Sequence, residues 1–496
     1  MPIESARRLV RQGCAFGAVL SLSLAASAKD AIPVAEHDDD QFSLMDILAN
    51  NGLHSIGDEW WNLYGQFTYI TSYHPAFPAP YTNANGAVNS LWPQAERGYT
   101  ATFTVFTGFR LWTGAEAYAV PEVIAEHPFS LLRGIGGATE NFELQKTGAP
   151  IPLVYRSRLF LRQTIELGGD TVPKKSSPLQ LATAVKSRRF VFTVGNYSVL
   201  DVFNRNNVLG DPRRGFFNES FMTDSSYDFP ADARGYTWGA AAELYWDDWA
   251  ARIGRFMPPQ EPNAQSIDPR FWLYYGDSLE IEHDHTLLGL PGAVRILGYR
   301  NHENFGRFAD AIAAFETNPA ENAAACQAAG LYNYGSSDFT APDLCWVRKP
   351  NVKLGLGFNI DQQVTPDIGV FARGMYSDGQ TEVDAYDSAD RDISFGAMVK
   401  GRFWRRAHDI LGVAFATSWI SSIHAEYLRL GGVDGFIGDG RLSKNAEPES
   451  IPEVFYSASL FNFLWLSVDY QRMWNPGYNS DRGPVNIFAG RVHAEF

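Results

Sequence analysis

The stretch N-I-F-A-G-R-V-H-A-E-F, Asn486 to Phe496, decides how this chain is read. Successive side chains of a strand face opposite sides of the sheet. One parity class holds Asn486, Phe488, Gly490, Val492, Ala494 and Phe496; the other holds Arg491, His493 and Glu495. One face is therefore largely apolar, the other carries charge, and the stretch stops on an aromatic of the apolar face. A closing strand looks like this when lipid lies outside and water inside. A soluble sandwich shows the same alternation, so the rest of the chain has to decide.

The alternation recurs. Tyr99, Ala101, Phe103, Val105 and Phe109 alternate with Thr100, Thr102 and Thr104, and Val352, Leu354, Leu356, Phe358 and Ile360 with Lys353, Asn359 and Asp361. Segments of about ten residues with this dyad period are the signature of a membrane barrel. Sixteen strands are predicted, at 61–71, 97–108, 113–121, 154–167, 187–195, 235–246, 249–256, 277–287, 293–301, 350–360, 367–376, 392–403, 409–419, 452–460, 463–472 and 486–496, with fourteen and eighteen as the alternative even counts. A turn is inferred near 109–112, and 168–186 reads as a long periplasmic connection. The remaining connections sort into short ones (247–248, 288–292, 361–366, 404–408) and long ones (about 196–234, 257–276, 302–349, 377–391, 421–451, 473–485). Barrels of the outer membrane have short periplasmic turns and long external loops, whereas an open sandwich has no reason to sort them. The fold class is an all-β transmembrane antiparallel barrel.

Export supports this. Arg7, Arg8 and Arg11 precede a short apolar run at 13–28 that ends in Ala26-Ser27-Ala28, a small-x-small signal with cleavage after Ala28. That run is too short to span a bilayer. Cleavage takes the net charge from −15 to −17 (38 basic against 55 acidic residues), which argues against nucleic acid as a partner. Residues 29–59 form an acidic arm with Asp38-Asp39-Asp40 and a short helix predicted around Ser43 to Asn50. The arm is either a solvated tail or a segment tucked against the periplasmic mouth. Residues 60–496 are the barrel. Cys14 falls in the leader; Cys326 and Cys345 remain, and an even pair in an exported chain suggests one disulfide, worth roughly 3 kcal/mol in the loop-entropy model. No CxxC or neighbouring histidine cluster supports a metal site.

Several segments together resemble the OprB-type carbohydrate-selective porins of Gram-negative outer membranes: Tyr64-Gly65-Gln66, R-L-F-L-R-Q-T at 158–164, V-L-D-V-F at 199–203, A-D-A-R-G-Y-T-W-G at 231–239, G-V-F-A-R at 369–373, N-P-G-Y-N at 475–479 and R-V-H-A-E-F at the end. The resemblance implies a sixteen-stranded barrel in the outer membrane and passive diffusion of monosaccharides such as glucose, with no cofactor. It implies as partners small carbohydrates, outer-membrane lipid and lipopolysaccharide, and the barrel-assembly machinery, which would read Phe496. Monomer and trimer both stay open. The cysteine-bearing stretch near 303–349 has no counterpart in the resemblance.

The lumen wall is expected where charge opposes an apolar row. With Leu159 and Leu161 against lipid, Arg156, Arg158 and Arg162 point inward, because an arginine on the lipid face costs about 2–4 kcal/mol at the midplane. Arg110, Arg373, Lys353, Lys400, Arg402 and Arg491 join the wall, with Glu166, Glu243, Glu280, Glu282 and Glu495 as acids. These charges either pair across the wall or form a constriction in which guanidinium groups donate to sugar hydroxyls, a task suited to five donors in a fixed fork. The segment 196–234 is the candidate to fold inward, carrying Asp201, Arg205, Asp211, Arg213 and Arg234; an ion-paired external loop is the other reading. No GxSxG, HExxH or P-loop supports an enzyme, and no catalytic residue is assigned. The leading expectation is a sugar porin. The alternatives are a general or anion-favouring porin and, less favoured, a barrel hydrolase, which needs a serine and a histidine facing the same way on neighbouring strands.

Overall fold

The computed structural model describes residues 43–84, 89–136, 139–145, 149–385, 387–439, 442 and 446–496. The leader, its cleavage point after Ala28, Cys14 and the run Asp38-Asp39-Asp40 lie outside the described residues. Sixteen antiparallel strands close on themselves, each beside its sequence neighbours and the first beside the last. They are β1 (Trp61–His74), β2 (Glu96–Trp112), β3 (Ala115–His127), β4 (Leu153–Lys174), β5 (Thr183–Tyr197), β6 (Thr237–Trp246), β7 (Trp249–Phe256), β8 (Tyr275–Leu287), β9 (Leu290–Phe305), β10 (Lys349–Thr365), β11 (Ile368–Ser377), β12 (Arg391–Gly401), β13 (Arg406–Trp419), β14 (Glu449–Phe461), β15 (Leu464–Met473) and β16 (Val485–Glu495). Each predicted segment coincides with one observed strand.

Alternation explains the closure. In β10, Leu354, Leu356, Phe358 and Ile360 are exposed while Lys353, Asn359 and Asp361 are buried. Such a sheet is inverted relative to a soluble protein, and its apolar outer face suits lipid. Lipid offers no partner to an open sheet edge, so the strands must close. At the seam the register runs from Gln66 opposite Glu495 to Tyr73 opposite Phe488. Thr68 Oγ1 lies 2.9 Å from His493 Nδ1 across it. Phe496 and Gly65 exchange both backbone hydrogen bonds, at 2.7 and 2.9 Å, and the Phe496 ring stacks on Phe103.

Connections from odd to even strands are long and those from even to odd are short, so both barrel ends meet on the periplasmic side. Two details differ from expectation. The β2–β3 turn is at 113–114 rather than 109–112, because β2 continues through an irregularity at Arg110 and Trp112. The expected connection 168–186 is mostly strand, and only residues 175–182 join β4 to β5. Gly168 and Gly169 take φ of 117° and 86° there, and the register shifts around them. This bends the hairpin, and its tip meets lumen-facing groups: Asn62 Nδ2 donates to Ser177 O and Gln180 O, and Leu181 N donates to Tyr118 Oη. Beside the tip lies helix α1 (Leu44–Asn50), capped by Ser43, with Met45 fully buried.

The external loops are folded. Helices α2 (Phe308–Thr317) and α3 (Ala323–Ala328) lie in the stretch between β9 and β10, and α4 (Ser422–Arg429) between β13 and β14. Phe308, Leu344, Tyr427, Leu428, Ile437 and Tyr478 pack together as one apolar cluster. Cys326 and Cys345 are joined by a disulfide.

Candidate pore constriction

Beyond β5 the chain does not leave the barrel. Ser198 caps a short 3-10 turn, with Asp201 Oδ2 accepting from Ser198 N at 3.1 Å. Arg158 on β4 forks onto the same carboxylate with two contacts of 2.7 Å. From there residues 198–236 cross the lumen and touch the far wall. Arg491 on β16 donates to Pro212 O and Gly215 O, both at 2.8 Å. Glu453 on β14 accepts from Phe217 N at 2.6 Å and Asn218 N at 3.0 Å. Arg373 on β11 donates to Phe221 O at 2.7 Å and Met222 O at 3.2 Å. Asp392 on β12 accepts from Ser226 N, and Lys353 on β10 pairs with Asp228 at 2.8 Å. Charged donors and acceptors on the wall thus satisfy backbone groups of the loop that its own turns leave open.

Apolar contacts add to this. Phe216, Phe217 and Phe221 pack against Phe371, Ile410 and Phe455 of the wall. Val199, Val202, Phe203 and Phe229 do the same against Phe160, Phe256 and Tyr299. These wall aromatics share a parity with the lumen charges, so the barrel interior holds an apolar core under the loop.

The expected site residues fall into three groups. Arg158, Arg162, Asp201, Arg205, Arg213 and Arg234 come together on the lumen side. Arg213 pairs with Glu143 at 2.8 Å and lies 3.7 Å from Glu122; Asp211 accepts from Arg213 N at 2.8 Å. Arg162 donates to Leu179 O at the hairpin tip and lies 3.7 Å from Glu116. Arg205 is exposed. Aromatic rings underlie several of these guanidinium groups: Tyr236 under Arg158, Tyr118 under Arg162, Tyr155 under Arg234 and Trp465 under Arg214. Stacking fixes the plane of each fork and leaves its N–H edges directed.

A second group is structural wall. Glu243 belongs to a buried charge ladder: Arg252 bridges Glu243, Glu280 and Glu282 at 3.2, 2.8 and 3.0 Å, and Arg295 bridges Glu282 and Asp361. Sequence reasoning missed Arg252 and Arg295. Each follows by parity from an exposed isoleucine neighbour, Ile253 and Ile296. Arg373 and Arg491 are loop anchors, the latter further from the periplasmic rim than its place near the chain end suggested. Glu166 lies exposed, opposite Arg189 in the register, below the constriction.

The third group needs correction. Arg156 does not face the lumen. Opposite it stands Pro121, which has no N–H to give the ladder, and β4 carries an extra residue, Ser157, so that Arg156 pairs with Pro121 but Arg158 with Val120. This bulge turns Tyr155 inward, where it donates to Glu122, and turns Arg156 out over Trp238, 5.1 Å from the ring. Arg110 sits at the periplasmic rim, bound to Asp58 and to Ala182 O. Arg402 leaves the wall as well: residues 402–404 are a turn, and its partner is Asp367 at 3.3 Å.

Comparison with known proteins adds the following. The family model described as "Carbohydrate-selective porin, OprB family" matches residues 158–496. No curated protein sequence matches. Among solved structures, the chain is similar to the high-pH structure of Pseudomonas putida OprB, at 13% identity and a TM-score of 0.66, covering 93% of this chain and 99% of that one. The low-pH structure of the same protein aligns at 11% identity and a TM-score of 0.47, over 93% and 100%. Salmonella typhi OmpF in complex with daunomycin aligns at 8% identity and 0.43, over 89% and 98%. At these identities the likeness speaks to the fold.

Proposed function

The chain belongs to the OprB family of carbohydrate-selective porins, and from that premise we propose that the stacked arginines around its inward loop are what a sugar meets on the way through. It is a porin of the Gram-negative outer membrane through which small carbohydrates diffuse passively. The observation that carries the proposal is the row Arg158, Arg162, Arg213 and Arg234. Each is half-buried, and three of the four stack on a tyrosine while offering N–H edges. Guanidinium donors suit sugar hydroxyls, and tyrosine faces suit the C–H side of a pyranose. Each contact to a guanidinium is worth about 1.5–3 kcal/mol net, and a few at a time suit a channel, since tight binding would stall flux. Monosaccharides are the proposed solutes.

A second reading, preference for anions, is favoured by Arg205, whose exposed side chain faces the same space. One experiment separates the two: swelling of liposomes carrying the barrel in glucose, a disaccharide, an amino acid and a small anion. Fastest entry of glucose supports sugar selection; fastest entry of the anion supports the second reading; equal entry of all four sinks both. For a hydrolase the seam offers Thr68, His493 and Glu495, hydrogen-bonded in sequence at 2.9 and 2.8 Å, with a threonine in place of the serine. Thr68 and His493 are fully buried in the seam, so no scissile bond reaches them, and the trio acts as a clasp. Phe496, half on the lipid face, is proposed as the aromatic offered to the barrel-assembly machinery.

A further inference from the structure

The outer face of the barrel carries a pattern that transport does not use. At the extracellular ends of the strands, six arginines point outward, and each lies over an aromatic ring. Arg97 covers Tyr73, Arg156 covers Trp238, Arg255 and Arg300 flank Tyr275, Arg391 covers Tyr376 and Arg472 covers Trp474, with guanidinium-to-ring distances from 3.8 to 5.9 Å. Aromatics at this level are ordinary girdle residues. A girdle does not require a cation on every one of them. Arg255 pairs with Asp277 at 2.7 Å. Among the described residues, Arg97, Arg156, Arg300, Arg391 and Arg472 have no ion-pair partner.

The periplasmic end is built differently. There Arg188 pairs with Asp247, Arg402 with Asp367 and Arg406 with Asp409. Three arginines of that rim are thus neutralised by neighbours, whereas five of the six in the external belt are left open. The open rim also has a concavity below it. A groove of about 870 Å³ on the outer face is lined by Ala240, Ala242, Ile253, Leu279 and Leu356, with Arg300, Asp378 and the Arg255–Asp277 pair along its external edge. Arg255, Asp277, Arg300 and Leu354 form one hydrogen-bonded row across four strands. An apolar trough capped by guanidinium groups complements an amphiphile with a phosphate at the head of its acyl chains. Bidentate donation favours arginine for phosphate, and the ring beneath each one holds the fork in place without neutralising it.

We propose that this basic-aromatic belt binds the phosphate groups of lipid A in the outer leaflet, with one acyl chain seated in the groove beside Arg300. The assignment rests on the barrel's place in the outer membrane and not on which solute crosses it. The test uses the full-length barrel in detergent micelles, titrated with bisphosphorylated lipid A or with the same lipid lacking both phosphates, and bound lipid counted by native mass spectrometry. Wild type should bind the phosphorylated lipid at least tenfold more tightly. The variant combining Arg97→Gln, Arg300→Gln, Arg391→Gln and Arg472→Gln should lose that preference, whereas Arg188→Gln with Arg406→Gln should keep it. Equal affinity of wild type for the two lipids overturns the proposal, as does a quadruple variant that keeps the tenfold preference or a periplasmic-rim variant that loses it. Should the quadruple variant fail to fold, the two-lipid comparison on wild type decides alone. Glucose influx through the same samples, expected unchanged in the quadruple variant, keeps the sugar reading separately testable.

Discussion

Arg156 and Arg158 are two positions apart and face opposite sides of the wall. Strict alternation puts them together, and only the bulge at Ser157 opposite Pro121 separates them. Strand parity reads such positions correctly until a residue without an N–H interrupts the partner strand, and the partner is not known until the pairing is known. Arg158 and Arg162 follow parity; Arg156 and Tyr155 do not. The difference is measurable. Arg158→Ala and Arg213→Ala should each shift permeability toward cations by roughly 1 kT of barrier or more, a factor of about 3, since each removes a lumen charge. Arg156→Ala should leave the ratio unchanged. Reversal potentials across planar bilayers under a salt gradient check both. Gly65 is the other telling position. A Cβ there would stand 2.3 Å from the Phe496 ring, so Gly65→Ala should push the terminal aromatic off Phe103 and lower the yield of heat-modifiable, folded barrel. Ala at Thr71, a lipid-facing neighbour on the same strand, should not.

The segment 198–236 shows what alternation cannot say about a connection. Its charges were visible, but an ion-paired external loop and an inward loop have the same composition. The deciding partners, Arg373, Glu453 and Arg491, lie 150 to 280 residues further along. Charge-assisted hydrogen bonds of this kind are worth about 1.5–3 kcal/mol each. Glu453→Gln, which weakens two of them, should speed amide exchange at Phe217 and Asn218 and raise single-channel noise while leaving the barrel folded. Unchanged exchange would mean that the aromatic packing alone holds the loop. The external stretch between β9 and β10 makes a separate prediction. Asp343 accepts from Cys345 N at 2.8 Å, and burial pushes its carboxyl up from 3.8 to about 7, with Glu382 adding and Arg348 opposing. Between those two values the folded loop keeps a proton that the opened loop releases. The loop is therefore firmest at the acid end and loses stability as pH rises through that window. Exchange protection around Cys345, corrected for intrinsic rates, should fall from pH 5 to pH 8 in wild type and stay level in Asp343→Asn. Cys326→Ser should lower it further at every pH, by about 3 kcal/mol if loop entropy dominates.

Strand alternation, antiparallel pairing and closure all follow from one constraint, that lipid outside and water inside demand period two and a closed edge. That constraint acts on every strand, so it is written into the chain many times over. The interior obeys no such rule. Phe160, Phe371 and Phe455 are apolar residues on the lumen parity, and they make sense only once a loop from elsewhere covers them. The same holds for the ladder from Glu243 to Asp361, whose members come from five consecutive strands and meet only once those strands pair. A pore assembled this way should respond as a unit: releasing the loop at either end should change sugar flux and ion selectivity together, whereas outer-face substitutions should change neither. Its making also has an order. The loop emerges between β5 and β6, yet it is gripped by β10, β11, β12, β14 and β16, and the seam that encloses it joins the first strand to the last. The loop hangs from the external mouth, but its anchors on the late strands exist only once those strands have paired. The grip on the loop is therefore completed only after the last strands are in place, like a bung seated once the cask is raised.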